Sequence, residues 1–194
     1  MAPTLKEKVI QAAVDYIAEF GPDGLSFRRI AADAGVSHQA PYHHFGDRDA
    51  IFAEIGLLGF RKFVAEMTAA ARRDEDDDPL TRMLERYVQF ALTNKGYFRV
   101  MFRSDLCNMS DSAELQQAGD EAFGTLIDLV TTTIGNSSSL DEVRVTATSL
   151  WSVAHGLATL LIDGPLETKI GTVRDRRALV RAVAKQTQSG LSNL

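Results

Sequence analysis

Polar, aromatic and basic side chains that could recognise DNA are concentrated between Ser26 and Arg48. Gln39 can pair with adenine through two hydrogen bonds, and His38 and His43 can reach base edges. Tyrosine hydroxyls, imidazoles and guanidinium groups suit phosphate oxygens. The residues of this kind in the segment are Arg28, Tyr42, His44 and Arg48. Together they indicate a nucleic-acid contact surface, provided that ordered elements hold them in place.

The elements that would hold this surface are predicted to be helices. The segment Leu5–Phe20 places apolar residues at helical spacing, and the Gly-Pro-Asp-Gly sequence at 21–24 stops it. Ser26 is a suitable N-cap for a second, short helix. Gly35 is expected to end that helix, because the position after a helix favours a left-handed backbone that glycine adopts easily.

A third helix is predicted to begin at His38, with Ser37 as its N-cap. Pro41 lies in its first turn, so the helix is expected to be short or tight at its start. Two short helices joined by a tight turn form the helix-turn-helix pattern, whose second helix enters the major groove of DNA. The alternative, on this pattern alone, is an ordinary helical hairpin whose polar side chains face water.

The charge of the chain is unevenly distributed. The formal net charge of −5 argues mildly against a nucleic-acid partner, since phosphate binding favours Lys and Arg. Between Ser26 and Arg48, however, three arginines stand against two aspartates, with three of the four histidines. Much of the acid lies in the run Asp-Glu-Asp-Asp-Asp at 74–78, which is predicted to be a solvated loop. The acidic balance therefore does not exclude DNA binding by the N-terminal segment.

The remainder of the chain is also predicted to be helical. A long fourth helix is expected from Arg48 to about Arg72. Five later helices are expected at about 80–94, 96–102, 112–134, 140–162 and 173–188, and Ser139 with Glu142 forms a capping box before the fourth of them. The sequence therefore predicts an all-α protein of about nine helices. Its expected domains are a helix-turn-helix domain at 1–47 and, joined by the long fourth helix, a helical bundle at 48–194.

The N-terminal segment resembles the signature of the TetR (tetracycline-repressor-like) family of transcriptional regulators. The resemblance rests on the runs IAADAGVS at 30–37, YHHF at 42–45 and DRDAIF at 47–52. It implies an all-helical homodimer whose N-terminal helices bind DNA and whose C-terminal helices bind a small effector and dimerise. One variation is present, since Ala40-Pro41 stands where a small residue and leucine are more usual before the tyrosine.

The resemblance also implies roles for individual positions. Tyr42, His44 and Arg48 are expected to anchor phosphates, while Gln39, Ala40 and His43 are expected to lie nearest the bases. Together with the residues chosen for their chemistry, the expected DNA-binding set is Arg28, Ser37, His38, Gln39, Ala40, Tyr42, His43, His44 and Arg48. The expected partner is a double-stranded, pseudo-palindromic operator that two recognition helices of a dimer would bind.

The C-terminal part resembles a subgroup whose regulatory domain carries a Trp-x-x-x-His-Gly motif, here at 151–156; the run 97–102 resembles the sixth helix of that subgroup. Trp151 and His155 are four residues apart and share one helix face. They either line an effector pocket, with His155 as its polar anchor, or form a packed tryptophan and a hydrogen-bonded core histidine. The further pocket candidates, each of which could be ordinary core, are Phe63, Met67, Tyr87, Phe90, Met101, Phe123 and Ile127. This composition favours a hydrophobic or aromatic small-molecule effector.

A cytoplasmic homodimer is expected, in which the last two helices of each copy form a four-helix interface, because they carry more apolar surface than one partner helix would hide. Charges throughout the first twenty residues argue against a signal peptide. No membrane span is expected, because no stretch of the sequence reaches 18 uncharged apolar residues. The expected function is that of a transcriptional regulator, a repressor released from its operator by the effector.

Other functions have little support in the sequence. It contains no GxSxG, HExxH, P-loop or GxGxxG motif, so neither an enzyme nor a cofactor is expected. The one cysteine, Cys107, cannot form an internal disulfide, and no Cys/His cluster predicts a metal. A redox role for Cys107 would need an exposed thiol with a lowered pKa. A helical interaction module without a DNA role is the remaining non-enzymatic alternative.

Overall fold

The computed structural model describes residues 2–71, 78–135 and 138–191, and every regular element in these ranges is a helix. The α-helices are α1 Leu5–Phe20, α2 Phe27–Asp33, α3 Ala40–Phe45, α4 Arg48–Ala71, α5 Pro79–Thr93, α6 Lys95–Met101, α7 Ala113–Ile134, α8 Leu140–Ile162, α9 Pro165–Ile170 and α10 Arg176–Leu191, with a 3₁₀ turn at Met109–Asp111. The all-α prediction is confirmed. The acidic loop expected at 74–78 lies outside the described residues, apart from Asp78.

The described ranges hold one α-helix more than the sequence predicted. Gly164 ends the preceding helix, but Pro165 then opens the short α9 rather than a loop. Proline suits the first position of a helix, because its missing N–H would have no intrahelical partner there. The final helix accordingly begins later than expected, at Arg176.

The capping box predicted before α8 is confirmed. The backbone N–H of Glu142 donates to Ser139 Oγ at 3.2 Å, and the Glu142 carboxylate accepts from the backbone N–H of Ser139 at 2.6 Å. A similar box, which was not predicted, starts α1 between Thr4 and Glu7. These caps provide partners for N–H groups that the first helical turn leaves without backbone acceptors.

The contacts divide the chain into two compact units, and their borders differ from the residue-47 boundary expected of the functional domains. The first unit comprises Met1–Lys62 with Asn94–Asp120, so it includes α6 as well as the three N-terminal helices. The second comprises Phe63–Thr93 with Glu121–Leu194. Helices α4 and α7 each contribute residues to both units.

The first unit is built around α1, whose buried face contacts α2, α3 and α6. The residues of that face are Val9, Ile10, Ala13, Val14 and Ile17. Cys107 also belongs to this core: it is 2% exposed, and its Sγ occupies the space where a side chain at Gly56 would lie. The thiol therefore lacks the exposure that a redox role would need.

The second unit is held together by α5, α8 and α10, with α5 in contact with both of the other two helices. One apolar cluster joins α5, α7 and α8. Its buried residues are Leu80, Val130, Val143, Ala147 and Leu150, with Leu126, Ile127 and Leu129 packed against them.

Helix α8 is rich in apolar residues, although only a small share of it is buried. By length and composition alone, α8 could cross a membrane, but the core helices of soluble proteins also pass this test. In its most apolar stretch of 18 residues, 33% is buried. The sequence criterion did not select it because threonine, serine and histidine interrupt its apolar residues. Its exposed surface is therefore less polar than a solvent-facing helix normally is.

Candidate nucleic-acid interface and aromatic cluster

The turn between α2 and α3 has the geometry that the sequence predicted. Gly35 has φ +65°, in the left-handed region that favours glycine. The N–H of Gly35 donates to the Ala32 carbonyl at 3.2 Å, and the N–H of Val36 donates to the Ala31 carbonyl at 3.0 Å. These two bonds form a Schellman motif, which ends α2 and fixes the direction in which the chain leaves it.

Helix α3 is short, as predicted, but the prediction that it begins at His38 is wrong. His38 and Gln39 form a turn, and the helix covers Ala40–Phe45 without a side-chain cap. The turn is closed by the N–H of Ala40, which donates to the Ser37 carbonyl at 3.0 Å. Pro41 has no N–H to donate to the same carbonyl, so a tight three-residue bond replaces the first bond of the expected helix.

The polar residues of the expected DNA-binding set lie on the surface of the first unit. Tyr42 is 56% exposed, while its ring packs edge-on against buried Phe27 with the centroids 4.5 Å apart. The other exposed members are Arg28, Ser37, His38, Gln39, His43, His44 and Arg48. Ala40 is the exception: it is 5% exposed, so its methyl group packs inward and is not available to a base edge.

The two arginines of α2 differ in their surroundings. Arg29 Nε donates to Asp33 Oδ2 at 2.9 Å, and its guanidinium lies 5.6 Å from the centre of the Tyr16 ring. Arg28 and Arg48 are exposed, and Arg48 rests 5.5 Å from the centre of the Phe52 ring. Arg29 is thus engaged within the protein, which favours Arg28 and Arg48 as phosphate contacts.

Lys6 is a residue of this surface that sequence reasoning missed. Its Nζ lies 2.8 Å from Glu54 Oε1 of α4 and 5.9 Å from the centre of the Phe45 ring, at the end of α3. The lysine therefore links α1 to α4 beside the last residue of α3. No local pattern could have revealed this, because Glu54 is 48 positions away in the chain.

In the second unit, three of the candidate effector residues form a hydrogen-bonded group. Trp151 Nε1 donates to the Tyr87 hydroxyl oxygen at 3.3 Å, and that hydroxyl lies 2.9 Å from His155 Nδ1. Tyr87 is buried and His155 is half-buried. The group joins α5 to α8, and the interpretation of His155 as a hydrogen-bonded core histidine matches this contact.

Burial disfavours the charged forms of both the tyrosine and the histidine of this group. It raises the pKa of Tyr87 and lowers the pKa of His155. Because the Tyr87 oxygen accepts from the indole N–H, its own proton can be donated to His155 Nδ1. An imidazole with its proton on Nε2 accepts this bond at Nδ1.

Aromatic rings surround this polar group. Phe63 packs edge-on against Tyr87 at 5.3 Å and against Phe90 at 5.1 Å, and Phe123 lies 5.8 Å from Trp151. Phe63 and Phe90 are buried, whereas Phe123 and Trp151 are 41% and 38% exposed. The side of the cluster formed by Phe63 and Phe90 is therefore buried, whereas the side formed by Phe123 and Trp151 is accessible to solvent.

The structure does not bring every candidate into this cluster. Met101 belongs to the first unit, where its Sδ lies 3.2 Å from the position of a Cβ at Gly59. Ile127 packs against the separate apolar cluster that includes Leu80 and Val130. Met67 is fully buried on α4. The contacts given for Met101 and Ile127 thus lie outside the hydrogen-bonded group of Tyr87, Trp151 and His155.

Comparison with known proteins places both parts of the chain in one class, the helix-turn-helix transcriptional regulators. Residues 9–55 match the family model described as bacterial regulatory proteins of the tetR family, and residues 80–186 match the model described as the tetracycline-repressor-like C-terminal domain. The chain belongs to the TetR family of DNA-binding transcriptional regulators. The family is not a class of enzymes. The Trp-x-x-x-His-Gly subgroup stays a prediction.

Individual proteins similar to this chain are also transcriptional regulators. The chain is 24% identical over 163 residues to the uncharacterised HTH-type transcriptional regulator YobS of Bacillus subtilis, covering 84% of this chain and 81% of YobS. It is 34% identical over 90 residues to the HTH-type transcriptional repressor Rv3405c of Mycobacterium tuberculosis, covering 44% and 45% of the two chains. The crystal structure of the TetR family regulator PfmR from Thermus thermophilus has the same fold, with a TM-score of 0.70, 21% identity and coverage of 92% and 96%.

Replacing Tyr87 by phenylalanine tests the hydrogen-bonded group. The variant keeps the ring but leaves the Trp151 N–H and His155 Nδ1 without the hydroxyl, so we expect a loss of about 1–2 kcal/mol in the free energy of unfolding. The emission of Trp151, the one tryptophan of the chain, should also change. Chemical denaturation and fluorescence measure both effects. Tyr42→Phe, whose hydroxyl belongs to an exposed side chain, is the control; a Tyr87→Phe variant as stable as that control, with unchanged emission, would contradict the assignment.

Proposed function

We propose that the protein is a repressor that binds a pseudo-palindromic operator as a homodimer and leaves it when a small molecule binds. The observation that carries this proposal is the surface of α3 and of the turn before it, where exposed polar side chains stand on a buried Ala40-Pro41 base. TetR regulators bind DNA operators and small-molecule ligands, generally as dimers. The protein would act in the cytoplasm, where its DNA is.

At the DNA, His38 and Gln39 would occupy the entry of the recognition helix. Residues at this end of such a helix reach base edges in the major groove, and Gln39 offers the donor and acceptor that adenine requires. His43 would contact bases from within α3. The residues proposed for phosphates and positioning are Arg28, Ser37, Tyr42, His44 and Arg48. Ala40 is omitted from the contacts because it is buried.

For the dimer, the exposed faces of α8 and α10 are the proposed interface. Exposed Thr148 and Ser152 and half-buried Gly156 follow one another at four-residue spacing on α8. Val145 on the same helix is 60% exposed. Small side chains let helix axes approach closely, and apolar ones gain from leaving water. Helix α10 adds exposed alanines at positions 178 and 182. Two copies of this pair would form a four-helix interface.

For the effector, the cluster around Tyr87, Trp151 and His155 is the proposed site. Burial favours the neutral forms of its polar groups and its walls are aromatic, which favours an uncharged aromatic molecule with a hydrogen-bonding group. Helix α5 carries Tyr87 and is joined to α6 of the first unit by Asn94 alone, so a displacement of α5 would be transmitted along the backbone to α6. A ligand that shifts α5 would therefore act on α6, provided that it binds one conformation more tightly than the other.

Removing the Tyr42 hydroxyl tests the proposed DNA surface. Tyr42→Phe keeps the ring packed on Phe27 and loses one phosphate contact, so we expect affinity for the operator to fall about two- to tenfold. The loss should be similar on every sequence, because phosphates carry no base information. Fluorescence anisotropy with DNA flanking the gene, and with base-substituted copies, measures this. Tyr16→Phe is the control; losses confined to some sequences, or no loss, would contradict the role.

Placing a charge on the proposed dimer face tests the interface. Ser152→Arg puts a long cation in the middle of the small-residue face of α8, so we expect the dimer to dissociate at micromolar concentration. Gln117→Arg, on an exposed position of α7, is the matched control and should remain dimeric. Light scattering distinguishes the 21.3 kDa monomer from a species of twice that mass. A monomeric native protein, or a dimeric Ser152→Arg variant, would refute this interface.

A further inference from the structure

A guanidinium from α6 closes the C-terminal end of α1. Arg99 Nη1 donates to the carbonyl oxygens of Ile17 and Ala18, at 3.0 and 3.1 Å. Both carbonyls belong to the last turn of α1, and Arg99 is more than 80 positions away from them in the chain. The contact lies wholly within the first unit.

The end of α1 has a particular need for such a partner. The last carbonyls of a helix have no intrahelical donors, and they carry the negative end of the helix dipole. Gly21 satisfies part of this need, since its N–H donates to the Ile17 carbonyl at 3.0 Å. The last turn of α1 has no basic residue of its own. Arg99 therefore supplies from another helix the positive charge and the donor that the helix end lacks.

Two glycines let α6 pack closely against its neighbours, and the first of them lies at the contact with α1. The backbone of α6 at Gly96 lies directly against the Val14 carbonyl of α1, where any Cβ would overlap the oxygen. On its other side α6 meets α4 at Gly59, close to the sulfur of Met101. Helix α6 is thus in contact with both α1 and α4, and Arg99 is fixed at its place on α1 by the backbone that carries it.

We propose that Arg99 is a positioning residue for DNA binding. Helix α1 contacts both α2 and α3, so the guanidinium that holds the end of α1 also holds the base on which the recognition helix rests. Arg99 itself needs no contact with DNA for this role. The inference rests on the proposed function, because it concerns the geometry with which α3 meets an operator.

Arg99→Met tests the role, because it keeps the length of the side chain and removes its charge and donors. We expect operator affinity to fall about tenfold or more, as for the loss of a charge-assisted hydrogen bond. The dependence of affinity on salt should keep its slope, since no phosphate contact is lost. Arg99→Lys keeps a charge and donors and should recover most of the affinity. Arg174→Met, at an exposed position, removes the same charge without touching α1 and should bind as the native protein does.

Hydrogen exchange of the backbone amides at 18–21 provides a second measurement that needs no DNA. Exchange there should be faster in Arg99→Met than in Arg174→Met, because the end of α1 has lost its partner. Unchanged exchange, or operator binding by Arg99→Met equal to that of Arg174→Met, would overturn the inference. A reduced salt slope would place Arg99 at a phosphate and would also overturn it. A native protein that binds no DNA would refute the proposed function, while the exchange comparison would still decide whether Arg99 holds α1.

Discussion

A helix of six residues cannot maintain its shape alone in water, and α3 has six. Isolated helices shorter than about 12 residues are marginal because nucleation costs more than so few hydrogen bonds return. The recognition helix must therefore be held by its surroundings. Buried Ala40 and Pro41 attach its first turn, and the ring of Tyr42 rests on Phe27. The buried residues of α3 and their partners thus determine the placement of the exposed side chains that we propose as DNA contacts.

This dependence makes α1 the central element of the first unit. It contacts α2 and α3 on its buried face, and Lys6 near its start pairs with Glu54 of α4. At its other end the carbonyls of Ile17 and Ala18 accept from Arg99. The unit that supports the recognition helix accordingly includes chain well beyond residue 47.

Helix bounds were predicted well where the sequence carries a local stop or capping signal. The first and eighth helices were predicted to the residue, because the glycine-rich stop after Phe20 and the capping box at Ser139 are local signals. The start of α3 was missed, since the proline that shortens it also changes how the preceding turn closes. Ala40 was expected near the bases by position in the family pattern, yet the fold buries it.

The aromatic cluster shows the limit of composition as a guide. Tyr87, Trp151 and His155 were all candidates for an effector pocket and do meet, but their hydrogen bonds join positions more than 60 residues apart. Met101 and Ile127 have the same apolar character as the residues of the cluster and lie elsewhere. Contacts such as that of Arg99 depend on tertiary packing, which no local spacing encodes.

The most direct measurement of the central claim is a hydroxyl-radical footprint of the native protein on the DNA that flanks its gene. Two recognition helices, one from each copy of the protein, should protect two half-sites of related, inverted sequence. The centres of the half-sites should be separated by about one helical turn of DNA or by a multiple of it. Protection of a single half-site, or uniform protection without an inverted repeat, would contradict it.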